Sequence, residues 1–214
     1  MNLDSKQRVN PWPEEGACDV LFILDARNSF EEETLRQWVT QHAKNESRAH
    51  RLVTVNLADD RDGIDSVPLV TELAAEDTTI VAPLRITWLP NEEVINSGPR
   101  LRDFLFGDPR RPNAKRGKEI LSKSPSRMHL IVGQPDSLAN LRGRYQHKYA
   151  VEPATAPQSF AKFTARQAGI VLDIGERHLQ GGRYKVPRYV AESMLANRGY
   201  NEAVEKLAQE QGKA

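Results

Sequence analysis

Residues suited to acid–base or nucleophilic chemistry are sparse in this chain. Its five histidines, His42, His50, His129, His147 and His178, stand singly, and none forms the closely spaced helical pair that grips zinc. The one cysteine, Cys18, precedes an apolar run and reads as a small apolar filler more readily than as a nucleophile. No serine occupies a Gly-x-Ser-x-Gly elbow, the turn that exposes a hydrolase nucleophile. The loop Ala26-Arg27-Asn28-Ser29 falls between an expected strand and an expected helix, where open α/β sheets bind ligands. It contains no glycine, so it offers no backbone cradle for phosphate and reads as a structural turn. Gly181-Gly182 follows a helical pattern, where a helix stop is expected. No catalytic constellation emerges, and neither a metal nor a cofactor is expected.

Basic residues form the stronger signal. Arg100, Arg102, Arg110, Arg111, Lys115, Arg116, Lys118, Lys123 and Arg127 lie within 28 positions. The net charge of +1 hides a division: −9 over residues 1–97, +11 over 98–188 and −1 over 189–214. Guanidinium forks match phosphate oxygens, so Arg110, Arg111, Lys115 and Arg116 are the candidate residues for an anionic partner or a membrane surface. The plain alternative is a solvated face, or one neutralised within the fold by the acidic first half. Nucleic acid is not expected, because no binding motif is present and few aromatics interleave with the charges.

These residues must be positioned by alternating strands and helices. Asp19 to Ala26 is a near-continuous apolar run that suits a strand buried on both faces. Ser29 can cap the following helix with Glu32 reaching back as a capping box, and Leu35, Trp38, Val39 and His42 recur at helical spacing. Arg51–Leu57 predicts a second strand and Val67–Ala75 a short helix with Pro68 in its first turn. Thr79–Leu89 predicts a third strand, with Pro83 marking a kink or a sheet edge. Short helices are expected at Leu101–Phe106 and Arg116–Ser122, and a strand at Met128–Val132. Ser137 can cap a helix through Leu138, Leu141 and Tyr145. Beyond residue 150 the pattern turns helical: Phe160, Phe163, Ile170, Val171 and Ile174 mark one expected packing face, and Tyr189–Leu195 and Glu202–Gln209 two later helices.

The alternation predicts an α/β fold: an open, mostly parallel sheet with flanking helices, followed by a helical extension. Residues 1–16 are expected as a mobile lead-in, 17–150 as the α/β domain and 151–214 as a helical linker. With 39% hydrophobic and 28% charged residues, composition is that of a globular chain. The strongest apolar run, Val20–Leu24, is far below the ~18 residues a spanning helix needs. A polar, proline-containing start does not read as a signal peptide, and the lone cysteine suits a reducing, cytoplasmic compartment.

Five separated segments together resemble a known family. They are DVLFILDARNSFEEETLRQWV (19–39), APLRITWLP (82–90), RLRDFLFGDPRRP (100–112), FAKFTARQAGI (160–170) and GGRYKVPRYVAESMLANRGYNEAV (181–204). In this order and spacing they are similar to the region before the catalytic domain of the membrane-associated bacterial glycerol-3-phosphate acyltransferases, most closely the actinobacterial forms. The likeness spans roughly residues 17–207. It implies a parent enzyme that moves a fatty acyl group from acyl-CoA or acyl carrier protein to the first hydroxyl of glycerol 3-phosphate, in phospholipid synthesis. It also implies a location peripheral to the inner face of the cell membrane.

In that family a histidine and an aspartate five residues later form the catalytic pair, the imidazole acting as base for the attacking hydroxyl. Here the residues five after each histidine are Ser47, Val55, Gln134, Glu152 and Arg183. Only His147 with Glu152 comes near, and it lies outside the matching segments. The family's catalytic block would begin beyond Ala214, so the chain reads as a piece or split form of the parent, inactive alone. Two functions follow as expectations. One is an accessory domain that packs on a catalytic acyltransferase domain and presents its basic segment to an anionic membrane or to acyl carrier protein. The other is a freestanding, non-catalytic α/β ligand-binding or regulatory module.

Overall fold

Strand β1 (Val20–Asp25) is buried at all six positions, as a strand flanked on both edges and covered on both faces must be. The computed structural model describes residues 10–12, 19–46, 49–57, 65–89 and 111–180. Within them the chain runs through β1, α1 (Ser29–Glu46), β2 (His50–Val55), α2 (Val67–Glu72) and β3 (Ile80–Trp88). It continues through α3 (Ala114–Lys123), β4 (Met128–Val132), β5 (Asp136–Ser137), α4 (Leu138–Tyr149) and α5 (Pro157–Gln180). The sheet order is β2-β1-β3-β4, with β5 also on β3. Strand β1 pairs in parallel with β2 and β3, whereas β4 and β5 are antiparallel to β3. This is the expected class, an open α/β sheet with flanking helices and a long C-terminal helix.

Period-two alternation divides the strand side chains between two cores. On one face Leu21, Ile23, Val81 and Ile131 pack with Leu69 of α2, Leu138, Leu141 and Tyr145 of α4, and Phe160, Phe163 and Leu172 of α5. On the other, Phe22, Leu24, Leu84, Ile86 and Leu130 pack with Leu35, Trp38 and Val39 of α1, Ile120 of α3 and Trp12. Trp12, within the stretch expected as a lead-in, stands edge-on to Phe22 with ring centroids 5.1 Å apart.

Three local expectations are corrected. Helix α1 is capped by Asn28, not Ser29: Asn28 Oδ1 accepts from the N–H groups of Phe30 and Glu31. The residue reaching back is Glu31, not Glu32, and its carboxylate accepts from Arg27 N. Glu32 instead accepts from Thr54 and Arg36, which together hold its carboxyl below the usual range despite some loss of hydration.

Pro83 lies inside the sheet, opposite Ile23 of β1. Its carbonyl accepts from Gly133 N at 2.9 Å, so its nitrogen faces the break between β4 and β5, where the ladder requires no donor there. Gly133 is needed at that break: a Cβ would meet Pro83 Cγ at 2.7 Å and Val171 Cγ2 at 2.9 Å.

The buried face of α5 is Phe160, Phe163, Ala165, Ala168 and Leu172, while Ile170 and Ile174 are exposed. Small residues let this long helix lie close on the sheet, and Phe163 is covered by Tyr145 and Tyr149 of α4, whereas Ile170 and Ile174, further along nearly the same side of the helix, are open to solvent. Ser137 caps α4 as expected, its Oγ accepting from Asn140 N. The helix expected at 101–106, those beyond 181, and Cys18 fall outside the described residues.

Candidate functional site

Two charged residues meet where β1 ends. Asp25 closes β1, Arg85 is its register partner on β3, and they are 2% and 5% exposed. Arg85 Nε donates to Asp25 Oδ2 at 2.5 Å, and Asp25 Oδ1 accepts from Leu57 N at 2.9 Å. The other side of the guanidinium is held from α5: Nη1 donates to Asp173 Oδ1 at 2.6 Å and to Glu176 Oε2 at 3.3 Å. Burial alone would lower the Arg85 pKa. The charge of Asp25 and the bonds to Asp173 and Asp25 outweigh it, and the net shift is upward. Arg85 therefore stays a cation, held through Nε and Nη1 by carboxylates of its own chain.

The position matters because β1 and β3 flank the point where the strand order reverses, the usual ligand crevice of open α/β sheets. Among the described residues, the side chains of Asp25, Arg85 and Asp173 meet here. The arrangement clamps α5 to the carboxyl end of β1 and to β3 beside it.

A second buried carboxylate supports the turn. Glu31, 1% exposed, accepts from Trp88 Nε1 at 2.9 Å and from Arg27 N at 3.0 Å. Replacing Glu31 with alanine strands both donors, one of them an indole on a fully buried ring. We expect a loss of about 1–3 kcal/mol in urea unfolding. An unchanged midpoint would show that this carboxylate does not hold the turn.

The basic candidates lie near the same turn. Asn28 Nδ2 donates to Pro112 O at 3.2 Å, and a Cβ on Gly117 would stand 3.0 Å from the Phe30 ring. These contacts set the start of α3 against the start of α1. Arg111 and Lys115 are exposed there, Arg116 is half-buried, and Asn113 caps α3 by accepting from Arg116 N. Arg110, with Arg100 and Arg102, lies outside the described residues. Arg127 Nε donates to Leu89 O at 2.8 Å; burial, then the nearby charge of Arg116, hold its pKa below the ordinary arginine value. Lys123 pairs with Glu119. The structure thus brings Arg111, Lys115 and Arg116 together at one helix start, with Lys118 reaching over the Phe30 ring.

The histidines remain apart. His42 stacks on Trp38, ring centroids 4.0 Å apart. His129 is half-buried in β4, and His147 is exposed on α4. Glu152 accepts from Gln146. Among the described residues no group of three or more potential metal ligands occurs, and no helix is long and apolar enough to cross a membrane.

Asp25, Glu31 and Arg85 were not singled out as site residues from sequence. For Asp25 and Arg85 the signal is a charge standing in an otherwise apolar strand, and for Glu31 it is only a place in an acidic first turn. No family model matches this chain, and no solved structure matches it.

Proposed function

We propose that the chain is the amino-terminal, non-catalytic region of a membrane-associated bacterial glycerol-3-phosphate acyltransferase. In this reading it supports a separate catalytic domain and turns its basic helix start toward an anionic surface. The observation that carries the reading is the ordered set of resembling segments, three of which build the interior of the fold. Segment 19–39 supplies β1 and α1, segment 82–90 supplies most of β3, and segment 160–170 lies in α5. The resemblance therefore falls on residues that specify a structure. The exposed Arg111 and Lys115, with Arg116 beside them, suit phosphate oxygens of a lipid headgroup.

Two measurements test it. Purified chain, assayed with glycerol 3-phosphate and a labelled acyl-CoA, is expected to form no product alone. A catalytic half of the family, supplied separately, is expected to gain activity when the chain is added. Product from this chain alone, lost in His147→Ala, would overturn the non-catalytic assignment.

In co-sedimentation, anionic vesicles are expected to bind the chain at low salt and release it as salt rises, since exposed charge is screened over about 8 Å at physiological ionic strength. Reversal of Arg111, Lys115 and Arg116 to glutamate should abolish that binding. Equal binding to neutral vesicles would remove the basic helix start from the proposal.

A further inference from the structure

A cavity of about 320 Å³ opens between β3, the β4–β5 connection, α4 and α5. Its apolar wall is Val81 and Pro83 of β3, Leu141 of α4, and Ala168 and Val171 of α5. Set into that wall is Thr164, 1% exposed, whose Oγ1 has no hydrogen-bond partner.

Threonine hydroxyls inside helices ordinarily bond the carbonyl four residues earlier. Thr34 and Thr40 of α1 do so, donating to Phe30 O at 2.7 Å and Arg36 O at 2.9 Å. Thr164 does not. A buried hydroxyl left unpaired costs about 1–3 kcal/mol, and Thr164 is one of the residues that line the cavity.

The lining also carries charge. Arg144 and Asp136 line it, and Arg144 Nη2 donates to Asp136 Oδ2 at 2.5 Å. Asp136 also accepts from Ser137 N and Asn140 Nδ2, so its oxygens are well supplied. The Arg144 side chain is 51% exposed, and its fork carries five donors. It retains capacity for a second carboxylate.

We propose that this cavity is a binding site for a small organic acid with a carboxylate at one end and a hydroxyl or carbonyl at the other. The carboxylate meets Arg144, an apolar body lies along Pro83, Leu141 and Val171, and the far polar atom satisfies Thr164. At about 30 Å³ per water-sized group the space takes a ligand of roughly ten non-hydrogen atoms, and its volume is within the range of small-molecule pockets.

The test uses the full chain and three probes: 4-hydroxyphenylacetate, phenylacetate, which lacks the hydroxyl, and 4-hydroxyphenylethanol, which lacks the carboxylate. Saturable amide shifts in a ¹⁵N-correlated spectrum are expected around Thr164 and Ala168 with the first probe. Phenylacetate and the neutral alcohol should each bind about fivefold to tenfold more weakly, the worth of one hydrogen bond. Thr164→Val, which keeps shape and removes the hydroxyl, should erase the preference for 4-hydroxyphenylacetate over phenylacetate. Ala168→Leu, which fills the cavity, should abolish binding while resonances elsewhere keep their positions.

No saturable shift with any probe at millimolar concentration would mean that the cavity holds water only, and the proposal would fail. Equal affinity for the acid and the alcohol would remove the carboxylate from it. Shifts that persist in Ala168→Leu would place the binding elsewhere and overturn the site. Should Ala168→Leu fail to fold, the Thr164→Val comparison decides alone: an undiminished preference for the hydroxylated acid rules the site out.

Discussion

Replacing Arg85 with methionine is expected to destabilise the chain by about 3–5 kcal/mol, the cost of breaking one side of a buried ion pair. The cost arises mainly from what is left behind. Asp25 is 2% exposed, and without the guanidinium it retains only the Leu57 N–H of the contacts described. A carboxylate in that position cannot recover its hydration without opening the sheet. Asp173 and Glu176 would also lose the group that holds α5 down at this end. Against a total stability of about 5–15 kcal/mol for an ordinary domain, such a loss is large. Urea unfolding with an unchanged slope would measure it. The double replacement Asp25→Leu with Arg85→Met should recover most of the deficit, because a matched apolar pair carries no stranded charge. A single-variant loss under about 1 kcal/mol would show that water reaches Asp25, and the clamp would have to be abandoned.

The second large effect concerns α5. A chain ending at Ala156 is expected to show no cooperative unfolding transition and to bind hydrophobic dyes, as loosely packed states do. Phe160, Ala161, Phe163, Ala165, Ala168 and Leu172 share one core with Leu21, Ile23, Val81 and Ile131. Without them the sheet face stands open. Each large aliphatic or aromatic side chain returned to water forfeits about 1.5–3 kcal/mol, and a handful of such losses exceeds the stability of a domain. The same deletion removes Asp173 and Glu176, so Arg85 loses part of its charge balance as well. Circular dichroism melting would decide. A sharp transition near that of the full chain would mean that the first 156 residues are self-sufficient and that α5 is an appendage.

The strands were legible because burial on two faces leaves a continuous apolar run, as in β1, and because β4 announces itself over the same five residues the sequence marked. The cap at Ser137 was legible because the hydroxyl precedes an apolar helical face. Elsewhere a neighbouring residue of equal aptitude won. Asn28 and Ser29 can both cap a helix, and the choice fell to Asn28, whose amide also reaches Pro112 across 84 positions. No local rule sees that contact.

Pro83 misled for a related reason. Its place is set by a gap between two partner strands, a property of pairing and not of β3 itself. The exposure of Ile170 and Ile174 reflects the burial of small alanines, which carry little weight in a hydrophobic pattern. The clamp was hidden most completely. Asp25, Arg85 and Asp173 belong to three separate elements, and their meeting is a product of strand order. Thr164 was equally silent, since only the surrounding space shows that its hydroxyl lacks a partner.

The clamp also sets an order of events during synthesis. Asp25 leaves the ribosome 60 residues ahead of Arg85, and Arg85 leaves 88 residues ahead of Asp173. At translation speeds of about 5–20 residues per second, the interval from first member to last is on the order of ten seconds. Throughout it the nascent β1 carries an ionised end that favours water, next to a run of apolar side chains that favours burial. The ion pair can therefore close only after β3 has been made, and Asp173 can join it only once α5 has followed.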